Sequence, residues 1–174
     1  MRVVAGTARG RRIAAPPGRL TRPTGDRVRE ATFNALQSLG AIRGAEVLDL
    51  FAGSGALGIE ALSRGATRAT FVDDDPGALA VVRANLAATG LAGSARVVQA
   101  DALHYLGGDG DDVDLALLDP PYRFDDEAWG RLLGAVDAEL AVLESDRTVE
   151  VGERWDVLRL KRYGATVVTL ARHR

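Results

Sequence analysis

The stretch Val47-Leu48-Asp49-Leu50-Phe51-Ala52-Gly53-Ser54-Gly55 constrains the fold most, because it runs from a short apolar strand through a glycine turn into a helix over 56–64. Glycines at 53 and 55 allow a tight turn and the close approach of a ligand to the main chain. A second apolar strand, Thr70-Phe71-Val72, ends in Asp73, twenty residues beyond Gly53. In a strand–helix–strand unit, a carboxylate at that offset reaches the two hydroxyls of a ribose. The spacing Gly53-x-Gly55-x-x-Gly58 with its downstream acid also fits a dinucleotide fingerprint, so the pattern alone leaves nicotinamide and flavin cofactors open.

The alternation continues along the chain. Apolar strands are expected at 46–50, 69–73, 96–100 and 113–118, with helices near 56–64, 76–88 and 126–136. Asp75 followed by Pro76 reads as an ordinary helix start. Thr148-Val149-Glu150-Val151 reads as a fifth strand, and 157–160 with 166–170 as a closing antiparallel hairpin. Such an order predicts an α/β fold with a mostly parallel seven-stranded sheet and right-handed crossovers. Ahead of it, residues 2–5 and 12–14 are expected to pair as a small hairpin around Thr7-Ala8-Arg9-Gly10. An extended proline-rich segment then leads to a helix over 26–39, which turns Val28, Ala31, Ala35, Leu36 and Leu39 toward the sheet.

Asp49 separates the cofactor classes. A dinucleotide site keeps an apolar residue near the end of its first strand, whereas a carboxylate there suits a cation. The turn also has no Arg or Lys for a pyrophosphate before Arg64. S-adenosylmethionine carries an ammonium and no pyrophosphate. Asp101, which follows Arg96-Val97-Val98-Gln99-Ala100, is placed to accept from an adenine amine. Asp49, Asp73 and Asp101 then line the carboxyl-end rim of the sheet, where ligands of open α/β sheets bind. Onto the same rim the run 113–118 delivers Asp119-Pro120-Pro121-Tyr122. Two prolines remove two backbone donors and leave a surface of hydrogen-bond acceptors. A primary amine offers two donors to that surface, and Tyr122 adds a face on which a nucleobase stacks, a contact worth ~1–3 kcal/mol.

Asp49-Leu50-Phe51-Ala52-Gly53-Ser54-Gly55, Asp73, the Asp101-Ala102 pair and Asp119-Pro120-Pro121-Tyr122, in that order, resemble the cofactor and catalytic motifs of Rossmann-like amino methyltransferases. The segment Arg22-Pro23-Thr24-Gly25-Asp26-Arg27-Val28-Arg29-Glu30 with Phe33-Asn34 is similar to the signature of bacterial 16S ribosomal RNA guanine-N2 methyltransferases of the RsmD type. Gly25 stands where a second Thr or Ser is usual, and Asp73 where Glu is common. The resemblance implies a Rossmann-like S-adenosylmethionine-dependent methyltransferase fold. It implies cofactor contacts from Asp49, Phe51, Ala52, Gly53, Ser54 and Gly55, and on the later strand ends from Asp73, Asp74, Asp101 and Ala102. Catalysis is then expected at Asp119, Pro120, Pro121 and Tyr122, acting on the exocyclic N2 amine of a guanine in small-subunit ribosomal RNA, within an assembled or assembling particle. Asp119 and the Pro120 carbonyl would accept from the amine, and Asp119 or water would take the released proton. DNA adenine-N6 methylation, protein glutamine-N5 methylation and a non-catalytic cofactor-binding module are the alternative readings.

Charge divides the chain unevenly. Residues 1–43 hold nine arginines against Asp26 and Glu30, a net of +7, and the remainder holds thirteen basic and twenty-two acidic residues, a net of −9. This pattern predicts two parts: a basic RNA-contacting extension over 1–43 and the methyltransferase domain over 44–174. Arg2, Arg9, Arg11, Arg12, Arg22 and Arg27, with Arg19 and Arg29, are the candidates for phosphate contact, a role to which the guanidinium fork is suited. Deletion of residues 1–20 is expected to leave a folded, cofactor-binding domain. The chain of 174 residues has no Cys, and its His104 and His173 lack partners at metal-ligand spacing, so no metal site is expected. No stretch approaches the ~20 apolar residues of a membrane span, and a cytoplasmic monomer is expected.

Overall fold

The computed structural model describes residues 1–16, 25–108, 113–121 and 123–174. The runs richest in Val and Leu form the middle of the sheet. β1 (Glu46–Leu50) lies parallel between β2 (Arg68–Asp73) and β4 (Val113–Leu118). Four of its five residues are buried, as expected where helices cover both faces of a parallel sheet. β3 (Ala95–Gln99) pairs outside β2, and β5 (Ala138–Ser145) outside β4, both parallel. β7 (Thr166–His173) then returns antiparallel along β5, and β6 (Trp155–Tyr163) closes the edge. The resulting order, β3-β2-β1-β4-β5-β7-β6, is a Rossmann-like α/β sheet whose strand order reverses between β1 and β4.

Side-chain alternation along the strands sorts the core into two halves. Val47, Leu115 and Leu117 face α1 (Gly25–Ser38), α2 (Ala56–Ser63) and α3 (Pro76–Thr89), meeting Phe33, Leu36, Ile59 and Val82. Leu48, Leu50, Ala116 and Leu118 face α4 (Ala102–Leu106) and α5 (Asp126–Ala135), where Trp129 and Leu132 fill the space.

One strand lies elsewhere than expected. Residues 148–151 form a loop, although Val149 is buried. The fifth strand lies upstream, at β5. Its Ala, Glu and Leu content favours helix locally, but Leu140 to Leu143 fill the slot between β4 and β7, and burial between two partners overrides propensity.

The amino-terminal segment is not separable from the sheet. Its hairpin is small, with one bridge at Arg2–Arg12, supported by bonds from Val3 N–H to the Arg11 carbonyl (3.0 Å) and from Gly10 N–H to the Val3 carbonyl (2.9 Å). Val3, Ala8 and Ile13 join the same buried cluster as Phe33 and Ile59. Glu60 of α2, fully buried, accepts from Val4 N–H (2.9 Å) and Ala5 N–H (3.1 Å). Ser63 accepts from Ala8 N–H at 2.9 Å and donates to the Ala5 carbonyl at 2.6 Å. A side chain at Gly6 would place its Cβ 1.8 Å from the Ser63 carbonyl oxygen, so only glycine lets the segment lie this close to α2. Deleting it would uncover a core face and leave the Glu60 carboxylate without two of its donors, so the segment is packed into the fold rather than attached as a free arm.

Candidate functional site: a carboxylate rim at the sheet's switch point

Where the strand order of an open α/β sheet reverses, the loops leaving the two neighbouring strands part and a crevice opens. Here that crevice lies beyond β1 and β4. Asp49 of β1, the glycine turn 51–54 and Asp119 line a cleft of about 180 Å³, together with Met1, Ala15 and Pro16 of the amino-terminal segment. Larger hollows of about 440 Å³ between α1 and β6–β7, and of about 300 Å³ at the opposite end of the strands, lack this placement.

Asp49 is 1% exposed and, among the described residues, accepts one hydrogen bond, from Gly58 N–H at 2.9 Å. Burial lifts its carboxyl well above the usual aspartate range, and the neighbouring Asp119 and Asp73 charges add to the effect, against the lowering by Gly58 N–H. No basic side chain pairs with it among the described residues. A Cβ on Gly58 would lie 2.4 Å from the Phe71 ring and 3.0 Å from Asp49 Oδ2, so glycine is what lets α2 deliver that N–H.

Asp73 ends β2 and is also buried. Its Oδ2 accepts from Gly53 N–H at 2.8 Å and its Oδ1 from Asp75 N–H at 3.0 Å, so it shapes the glycine turn from behind. Gly53 (φ 57°) and Gly55 (φ 76°) adopt left-handed backbone. Phe51 does too, at φ 61°, the one non-glycine residue to do so among the described residues. It is held there by an edge-to-face contact with Phe124, ring centroids 5.4 Å apart, and Phe124 in turn meets Trp129 at 5.5 Å. Phe124 N–H bonds the Pro121 carbonyl (2.9 Å), and Arg147 holds the Phe124 carbonyl (3.0 Å). An aromatic chain thus fixes the Asp119-Pro120-Pro121 turn against the glycine turn. Asp119 is half-buried, Pro120 buried and Pro121 exposed.

The sequence candidates separate accordingly. Asp49, Phe51, Ala52, Gly53, Ser54 and Asp119 meet at one cleft. Gly55 begins α2 behind it, and Ala102 is buried in α4. Asp101 is exposed and caps α4 through His104 N–H at 3.0 Å, while Asp74 is exposed beside the β2 end. Of the arginines, Arg2, Arg9, Arg11, Arg12 and Arg27 are exposed, although Arg2 also bonds the Gly10 carbonyl and Arg11 the Ala88 carbonyl. Arg29 is 5% exposed and committed to Asp26 and Glu60, which removes it from the phosphate candidates. Tyr122, Arg19 and Arg22 lie outside the described residues. Sequence reasoning missed the wall formed by Ala15 and Pro16, and it missed Asn85. Asn85 sits inside α3 and bonds both that segment and the glycine turn; no local pattern marks it.

Known proteins resemble this chain in sequence and fold. YlbH of Bacillus subtilis, provisionally named an rRNA methyltransferase, is 38% identical over 187 residues that cover all of both chains. Ribosomal RNA small subunit methyltransferase D of Escherichia coli is 45% identical over 123 residues, 71% of this chain and 61% of that protein. The solved structure of yhhF from Escherichia coli, described provisionally as a methyltransferase, superposes with a TM-score of 0.85 at 38% identity, covering 99% of this chain and 97% of that one. The family described as conserved hypothetical protein 95 matches residues 1–172, and the chain belongs to that family, in its RsmD type.

Proposed function

We propose that this chain methylates the exocyclic N2 amine of a guanine in 16S ribosomal RNA of the small subunit, with S-adenosylmethionine as the donor. The observation that carries the reading is the convergence of Asp49 and Asp119 on one cleft at the switch point, one suited to a cation and the other to an amine. The residues fit the cofactor. Asp49 is a buried carboxylate with no partner cation among the described residues, which the methionine ammonium would supply, and Asp73 keeps lone pairs for ribose hydroxyls beside its two backbone bonds. Phe51, Ala52, Gly53 and Ser54 would bound the ligand, Gly55 sets the turn, and Asp74, Asp101 and Ala102 are the candidates toward the adenosine. When bound, S-adenosylmethionine supplies a methyl group already activated by its sulfonium.

The guanine amine is a poor nucleophile, since its lone pair is delocalised into the ring. Asp119 and the Pro120 carbonyl accept from its two N–H groups and draw density onto nitrogen as it becomes tetrahedral, and the proton that the methylated nitrogen must lose passes to Asp119 or to water. Pro121 stiffens the turn and Tyr122 holds the base plane, so the amine is presented in one direction; orientation of this kind supplies several of the ~7–11 kcal/mol available from proximity. The base must leave its stack to enter, which favours a splayed loop nucleotide. We assign Arg2, Arg9, Arg11, Arg12, Arg22 and Arg27 to the RNA backbone, making 1–43 the substrate-holding part and 44–174 the chemical part. No helix among the described residues is long and apolar enough to cross a membrane. We place the activity in the cytoplasm, carried out by a monomer on the assembled or assembling subunit.

The test is to incubate the protein and tritiated S-adenosylmethionine with small subunits from a strain lacking the enzyme, then map the label. Label on a single guanine N2 is the expected result. Label on an adenine, on protein glutamine, or nowhere would overturn the assignment.

A further inference from the structure

Asn85 occupies the middle of α3, where asparagine is a poor helix former, and is only 3% exposed. Its side-chain amide bonds two separate segments. Oδ1 accepts from Ala14 N–H at 2.9 Å, and Nδ2 donates to the Ala14 carbonyl at 2.9 Å and to the Ser54 carbonyl at 2.8 Å. Ala14 leads directly into Ala15 and Pro16, which line the cleft, as does Ser54 of the glycine turn. We infer that Asn85 is a positioning residue for the cofactor: it fixes the amino-terminal segment against the glycine turn, both of which line the cleft, without touching the ligand itself.

This rests on the reading of the cleft as an S-adenosylmethionine site, and Ser63 provides the control. Ser63 ties the same amino-terminal segment to α2 through Ala8 N–H and the Ala5 carbonyl, and makes no bond to the glycine turn. Loosening the segment at Ser63 therefore costs stability without moving Ser54. Loosening it at Asn85 frees both segments.

The experiment is calorimetric binding of S-adenosylhomocysteine to four full-length proteins: wild type, Asn85→Ala, Asn85→Asp and Ser63→Ala, each also unfolded in urea. Asn85→Asp keeps the volume and the Ala14 N–H bond but loses both donations at neutral pH. Affinity should fall about tenfold in both Asn85 variants, the equivalent of one buried polar group deprived of its partner. It should stay within about twofold in Ser63→Ala, even where that variant is the less stable in urea. In turnover, the Asn85 change should appear in the cofactor KM more than in kcat. Wild-type affinity in Asn85→Asp, an equal fall in Ser63→Ala, or failure of both Asn85 variants to fold would overturn the assignment and leave Asn85 a structural strut. Absence of binding by the wild type would instead remove the cofactor reading itself.

Discussion

Glu60 and Asp49 are both buried carboxylates in the same half of the molecule, and their surroundings are opposite. Glu60 accepts from two backbone N–H groups and from Arg64 Nε at 2.8 Å, with Arg29 Nε 3.5 Å away. Asp49 has one backbone donor and faces two further carboxylates. A buried charge persists when its partners are built in, so Glu60 is a seam that joins the amino-terminal segment to α2. A buried carboxylate left short of partners is instead held at a cost, which a cationic ligand can relieve. Burial alone does not separate structure from function here; the count of partners does.

The contrast can be broken most directly at the seam. Glu60→Ala removes the buried carboxylate that Arg29 and Arg64 share, and urea unfolding should show a loss of ~3–5 kcal/mol. A loss below about 1 kcal/mol would mean that the seam is not a structural ion network. On the rim, Asp119→Ala should slow single-turnover methylation by at least ~10²-fold, the range for a positioned proton acceptor. S-adenosylhomocysteine affinity in that variant should stay within a few-fold, and full activity would remove Asp119 from the chemistry.

Asp49→Asn is predicted to be the opposite of Glu60→Ala: no loss of stability near neutral pH, with cofactor affinity reduced by ~1.5–3 kcal/mol, the worth of a bond to a charged group. The sign follows from the raised carboxyl. The folded state binds the Asp49 proton more tightly than the unfolded chain, so that contribution is complete below the ordinary aspartate pKa and is lost as pH rises through the raised value. The asparagine variant escapes this loss, so its advantage over wild type in urea should grow with pH across that window. Pairing with a cation requires the ionised form, so ligand binding to the wild type should release a proton, detected as a dependence of the calorimetric heat on buffer ionisation enthalpy. No release, or equal release in the variant, would mean that Asp49 does not meet the cation.

The smallest effects belong to the exposed arginines. Arg9→Ala and Arg12→Ala should leave stability within ~0.5 kcal/mol. Each should flatten the slope of log RNA affinity against log salt by ~0.7–0.9 if it neutralises one phosphate. Arg29→Ala should do the reverse, lowering stability without changing the slope, because its guanidinium is already committed to Asp26 and Glu60.

The sheet and its rim were legible because their signals are local. Val47 to Leu50 and Leu115 to Leu118 are apolar in short runs, and the Asp or glycine that follows each is read within a few positions. What escaped depends on partners far along the chain. Glu60 and Ser63 meet residues more than fifty positions away, and Asn85 meets one seventy-one away. Inside a helical segment each resembles a solvent-facing residue. Leu140 to Leu143 carry helix-forming neighbours and became a strand only because β4 and β7 leave that slot between them. Asp101 carries a duty that its motif does not announce: the candidate adenine acceptor also caps α4 in the structure.

Phe51 has one more consequence. A left-handed φ of 61° costs a phenylalanine on the order of 1–3 kcal/mol, where glycine would adopt it freely. A glycine there would also give the turn many more conformations when no ligand is bound, all of which binding would have to suppress. With an aromatic ring clamped between Phe124 and the cleft, that disorder is removed during folding rather than during ligand capture. The turn therefore meets its ligand as a finished mould, and the strain at one residue is the form in which its readiness is stored.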